Sequence, residues 1–185
     1  MPRAGLSAAA VVEAAVLVID EQGTDALTLA AVAQRCGVAA PSLYKHVGGL
    51  AELKTLVGVR VLNELADRFT EAATGRSGAD AITALMHAYR AYATAHPARY
   101  AAMPPDPLHQ PELAAAGLRQ LAVIQAALRP WQLDATAQVH AIRRLRVMAH
   151  GFASLESAGG FGLPEDLDET YRQLIGSFLD TLPTP

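Results

Sequence analysis

Four polar side chains of different chemistry stand within five residues of one another: Ser42, Tyr44, Lys45 and His46. A hydroxyl, a phenol, an ammonium and an imidazole are the kind of donors that meet base edges and phosphate oxygens. Elsewhere the chain is poor in catalytic or metal-binding constellations. His87, His96, His109, His140 and His150 build no metal-ligand spacing, and no HExxH, GxSxG or phosphate-loop pattern occurs. The run Gly159-Gly160-Phe161-Gly162 reads as a turn, with no strand before it and no lysine after it. The single cysteine, Cys36, excludes an internal disulfide framework and any multi-cysteine metal site, and reads as a small buried hydrophobe. The expectation is a chain that is no enzyme and carries no cofactor.

A donor set of this size needs a rigid carrier, and the flanking residues predict one. Thr28 caps a short helix in which Leu29, Val32, Ala33 and Cys36 recur at helical spacing. Gly37 ends it by supplying the positive φ of a tight turn. Pro41 suits the first turn of a second short helix over 41–47, before Gly48-Gly49 breaks the chain. Two short helices joined by a glycine-containing turn form a helix-turn-helix. Val32, Cys36, Val38 and Leu43 would plug its small core, leaving the four polar residues outside on a helix that fits a major groove.

From Ala14-Ala15 and Gly23, through Leu27-Thr28-Leu29, Val32-Ala33, Gly37-Val38 and Leu43-Tyr44, to His46 and Leu53, the segment resembles the DNA-binding domain of the TetR/AcrR family of bacterial transcriptional regulators. Met148-Ala149-His150-Gly151-Phe152-Ala153-Ser154-Leu155-Glu156 resembles that family's tryptophan-histidine-glycine ligand-binding subgroup, with methionine near the tryptophan's place. The resemblance implies that Thr28 touches a phosphate, that Tyr44 and His46 contact backbone or base edges, and that Lys45 adds a cation. It also implies that Ala40, Pro41 and Ser42 face the bases, the first two by apolar contact. The family's lysine at the start of the next helix is replaced by Leu50, and Lys54, one turn on, takes its part. Val47 stands where an aromatic residue is commoner.

Beyond this segment the spacing predicts helices over 7–22, 50–72, 80–95, 98–103, 112–128, 134–155 and 166–182, about nine in all. The expected fold is all-α. Residues 1–48 would form a three-helix helix-turn-helix domain, and 49–185 a helical ligand-binding and dimerisation domain. Met86, Tyr89, Tyr92, Tyr100, Met103, Leu121, Ile124, Met148 and Phe152 mix aromatic and thioether side chains that line apolar pockets, although such residues also fill ordinary cores. A helix bend at Gly151 would turn His150 inward as a ligand or switch residue. Arg143, Arg144 and Arg146 read as a solvated face paired with acids such as Glu156, as a dimer contact, or as an anion clamp. Leu167, Tyr171, Leu174, Ile175, Phe178 and Leu182 give the last helix a broad apolar face. By resemblance the helices over 134–155 and 166–182 pack against their two-fold mates as a four-helix bundle in a homodimer. Two-fold symmetry would set the recognition helices about 34 Å apart on a pseudo-palindromic double-stranded DNA operator.

The resemblance thus implies a ligand-responsive transcriptional regulator, a repressor released by a small apolar or amphipathic effector, with the long helix over 50–72 as the lever between domains. The alternative is a protein of the same fold that binds small molecules or partners without reading DNA. Composition narrows the mode of binding. Hydrophobic residues make up 51% of the 185 and charged residues 18%, and 38 are alanine, so a helical core is affordable. Net charge is −3, and residues 1–55 hold four basic side chains (Arg3, Arg35, Lys45, Lys54) against five acidic. Binding by bulk charge is excluded, and a few placed contacts must suffice. The opening Met1 to Ser7 lacks a leader pattern, and no run of about 18 uncharged apolar residues occurs, so a cytoplasmic location and no membrane contact are expected.

Overall fold

The computed structural model describes residues 6–184; Met1 to Gly5, including Arg3 and most of the opening stretch read above, and Pro185 lie outside the described residues. Within them there are eight α-helices, three short 3-10 segments and no strand. The helices are α1 (Ala8–Gln22), α2 (Leu29–Cys36), α3 (Leu50–Ala73), α4 (Gly78–Ala95), α5 (Pro97–Ala101), α6 (Pro111–Leu128), α7 (Ala135–Ser157) and α8 (Leu167–Leu179). None is long and apolar enough to cross a membrane.

The boundaries follow the capping chemistry. Ser7 Oγ accepts from the Ala10 N–H at 3.2 Å, Thr28 Oγ1 from Ala31 at 3.1 Å and Asp134 Oδ1 from Ala137 at 2.8 Å. Each satisfies a donor that the first helical turn leaves without a partner. Asp166 does the same for α8, whose first turn carries Asp168 and Glu169, acids favoured by the helix dipole.

The helices form two compact units. The first runs up to Glu64 and takes back His96–Gly117; the second comprises Leu65–Ala95 and the chain from Leu118. In the first unit α1 packs on α2 and α5, and Val11, Ala15, Val16, Val18, Ile19, Val32, Leu43 and Leu53 fill the core. Met103 packs with Val59 against Leu62, Leu113 and Ala116. The proline-rich loop after α5 lies directly on α3: a Cβ at Gly58 would stand 2.9 Å from Pro104 Cγ.

In the second unit α4 packs along α7, and α8 lies on both. Met86, Tyr92, Leu145, Phe152, Tyr171, Ile175 and Phe178 are buried there. The Tyr171 hydroxyl donates to the Met86 carbonyl at 2.8 Å, and burial pushes its ionisation upward. The Arg90 guanidinium lies over the Phe152 and Tyr171 rings at 5.0 and 5.1 Å and grips Glu156 bidentately, both bonds at 2.6 Å, with Asp168 at 2.7 Å. Glu156 is therefore Arg90's partner, which corrects its expected pairing with the Arg143-Arg144-Arg146 cluster.

Candidate nucleic-acid interface

The turn between α2 and the next element is closed as its sequence requires. Gly37 adopts φ 67° and ψ 32°, its N–H bonds to the Gln34 carbonyl at 3.1 Å, and the Val38 N–H bonds to the Ala33 carbonyl at 3.0 Å. Ala33 is buried, while Cys36 and Val38 are only half-buried. Burial pushes the Cys36 thiol up, away from reactivity.

The expected α-helix over 41–47 is instead a 3-10 segment, Ala40–Lys45. A segment of six residues is short enough for the 3-10 winding, which is used in brief pieces. Ser42 N bonds to the Ala39 carbonyl at 2.9 Å and His46 N to the Leu43 carbonyl at 2.8 Å, the three-residue pattern of that geometry. Side chains three apart then eclipse. Leu43 is fully buried and keys the segment to the core, with Val47 buried behind it. On the outside Tyr44 is 61% exposed, Pro41 and Lys45 are exposed, and Ala40, Ser42 and His46 are half-buried.

The remaining residues expected at DNA lie on neighbouring elements of this unit. Thr28 is exposed at the start of α2. Its oxygen accepts from Ala31, which leaves its own O–H for an outside acceptor. Lys54 is exposed on the second turn of α3. At the start of that helix Gly48 N–H donates to Glu52 Oε2 at 2.5 Å, so a carboxylate stands over the helix N-terminus.

Arginines engage the nearby acids. Arg35 grips Glu21 bidentately at 2.6 and 2.8 Å, which holds the Glu21 carboxyl below the usual carboxylate range. Arg99 on α5 joins three helices: it bonds Asp20 of α1 and both Glu64 oxygens of α3, each at 2.9 Å. Its side chain is 13% exposed. Arg60 continues the chain to Glu13 at 2.5 Å and Glu64 at 3.1 Å. The pairing of Asp20 with Arg99 is the largest influence holding that guanidinium protonated. Among the described residues Lys45 and Lys54 have no carboxylate partner, so they are the cations of this region available to an outside anion. The clasp escaped the sequence reading because Arg99 lies 79 residues from Asp20 and 35 from Glu64.

The residues expected to bind ligand are divided between the two units. Tyr100 and Met103 belong to the first unit. In the second, Met86, Tyr89 and Tyr92 are buried, Phe152 stacks with Tyr171 and Phe161, and Leu121 and Ile124 are half-buried. Met148 lines a groove of about 480 Å³ between α7 and α8, with His140, Arg143, Arg144, Val147, Leu174, Ser177, Phe178 and Thr181. His150, expected to turn inward, is exposed, because α7 runs on through Gly151. The apolar face of α8 also differs from expectation. Tyr171, Ile175 and Phe178 are buried within the unit, while Leu167 and Leu174 are half-buried. Periodicity marks a face as buried but does not name what buries it.

A capped helix, a glycine turn and a buried leucine presenting exposed donors make a helix-turn-helix. The family profile for bacterial regulatory proteins of the tetR family matches residues 11–53, and that for the tetracyclin repressor-like C-terminal domain matches 82–178. The uncharacterized HTH-type transcriptional regulator Rv0681 of Mycobacterium tuberculosis is 35% identical over 89% of this chain and 75% of its own length. YobS of Bacillus subtilis, described in the same words, is 32% identical over 98% and 95%. A solved protein of unknown function from Rhodococcus sp. RHA1 superposes with a TM-score of 0.82 at 21% identity over all of both chains. The chain belongs to the tetR family.

Proposed function

We propose that the protein is a ligand-responsive repressor that leaves a pseudo-palindromic operator when a small apolar or amphipathic molecule binds. In this reading residues 1–48 form the DNA-binding domain and 49–185 the ligand-binding and dimerisation domain, in the cytoplasm. The observation that carries DNA reading is the pairing of exposed Tyr44 and Lys45 with buried Leu43 on one short segment, while the neighbouring Arg35 is held by Glu21. Thr28, Ser42, His46 and Lys54 extend the contact surface, with Ala40 and Pro41 as its apolar part. The effector reading rests on the aromatic and thioether residues of the second unit, Met86, Tyr89, Tyr92 and Phe152 foremost. Continuous α3, shared by both units, supports its role as lever. An effector needs only differential affinity for the two states.

Mobility shift with DNA upstream of the protein's own gene tests the reading. Tyr44→Ala together with Lys45→Ala should weaken operator binding at least about tenfold, since each half-site loses a donor and a phosphate contact, and should flatten the salt dependence. Unchanged affinity would overturn the assignment, and weak sequence-independent binding would favour a same-fold protein that does not read DNA. Glu52→Gln should act oppositely. It keeps an acceptor for the Gly48 N–H but removes the charge that repels an approaching phosphate, so operator affinity should rise about threefold. No gain would mean that phosphate does not approach the start of α3.

A further inference from the structure

Seven arginines form ion pairs with carboxylates among the described residues. Arg76 and Arg129 have no such partner there, and both line one open groove of about 820 Å³ in the second unit. The groove lies where the end of α3, the first turn of α4 and the end of α6 meet. Arg76 donates one N–H from Nη1 to the Ala72 carbonyl at 2.8 Å, which fixes its guanidinium at the last turn of α3. A guanidinium has five donors, so the rest of the fork is available. The walls are otherwise mainly apolar and small, with Ala73, Ala81 and Ala126 drawn from the three helices. Pro130, also in the lining, is braced from below: a Cβ at Gly78 would stand 3.7 Å from its Cγ and 3.9 Å from the Trp131 ring.

We propose that this groove binds a carboxylate-bearing amphiphile, its head between Arg76 and Arg129 and its chain along the alanines. Two planar forks match the planar oxygen pair of a carboxylate. The apolar walls beside the two guanidinia favour an occupant with an apolar chain over an inorganic anion alone, because only the chain removes that surface from water. A volume of about 820 Å³ holds a ligand of medium chain length. The site is separate from the buried aromatic residues on which the effector reading rests and does not depend on that reading.

Octanoate is a suitable probe, with octan-1-ol and inorganic phosphate as controls, titrated into the full chain by calorimetry and amide chemical shifts. Octanoate should bind at least about tenfold more tightly than either control and shift the amides of Ala122, Ala126 and Gln132. Arg129→Gln should cost about tenfold in octanoate affinity, and Arg76→Gln with Arg129→Gln should abolish saturation below millimolar concentration. Thermal unfolding of Arg129→Gln should match that of the native chain, because the native side chain has no ion-pair partner to lose. No octanoate binding at millimolar concentration, equal affinity for octan-1-ol, or undiminished binding by the double variant would each overturn the proposal.

Discussion

Val147→Arg is expected to turn the proposed dimer into a monomer and to cut operator affinity by about a hundredfold or more, the loss that follows when two linked half-site contacts become independent. Val147 is 71% exposed, far more than an apolar side chain on a packed helix needs to be. It borders the groove between α7 and α8, beside Arg143, Arg144 and Met148. A second copy would cover that groove and the valine together. An arginine at 147 would add a fourth cation to the Arg143-Arg144-Arg146 cluster and, by two-fold symmetry, set like charges against each other in a desolvated contact. The fold itself should hardly notice, because exposed substitutions usually change stability by less than about 0.5 kcal/mol. Light scattering, thermal unfolding and mobility shift on the same sample separate these effects. A variant that remains a dimer would remove this face from the interface.

Arg99→Met should destabilise the first unit by about 2 kcal/mol, because it leaves Asp20 partly buried without its arginine and Glu64 with Arg60 as its remaining arginine partner. Glu64 is 16% exposed and Asp20 24%, so water can screen them only in part. For a chain of this size the expected fall in melting temperature is roughly 5–10 °C. Raising the pH does not reproduce the substitution. The folded state raises the Arg99 pKa, so its stabilising charge is present throughout the working range and lost only in strong alkali. Arg99→Lys should recover part of the loss, keeping the charge without the fork that reaches both carboxylates. If Arg99→Met melts with the native chain, the three-helix clasp contributes nothing to stability.

The elements that hold the donors were legible because their signals are local. Thr28, Gly37, Pro41 and Gly48 each dictate backbone geometry within a turn of their own position, and Leu43 with Val47 mark the buried side. The 3-10 winding was not legible, since a proline near the start of so short a segment permits either geometry. Nor were the partners of Arg90, Arg99 and Glu156, which depend on residues 35 to 79 positions away. The apolar stripe on α8, expected at a dimer contact, buries Tyr171 and Phe178 in this chain's own interior. Val147 on α7, the other helix expected at the dimer contact, is exposed, and no periodicity distinguishes it from an ordinary surface valine.

The 3-10 segment has a consequence for what the protein can measure. Six residues keyed by one leucine present few side chains, so in the proposed dimer each copy would read a short word. Two short words carry little information unless the interval between them is enforced, and a rigid pair enforces it. One inserted base pair displaces the second word by about 3.4 Å and about a tenth of a helical turn, enough to misplace every contact of one copy together. On the proposed reading the protein would work as a ruler, distinguishing DNA sites by the distance between their halves more sharply than by any single letter within them.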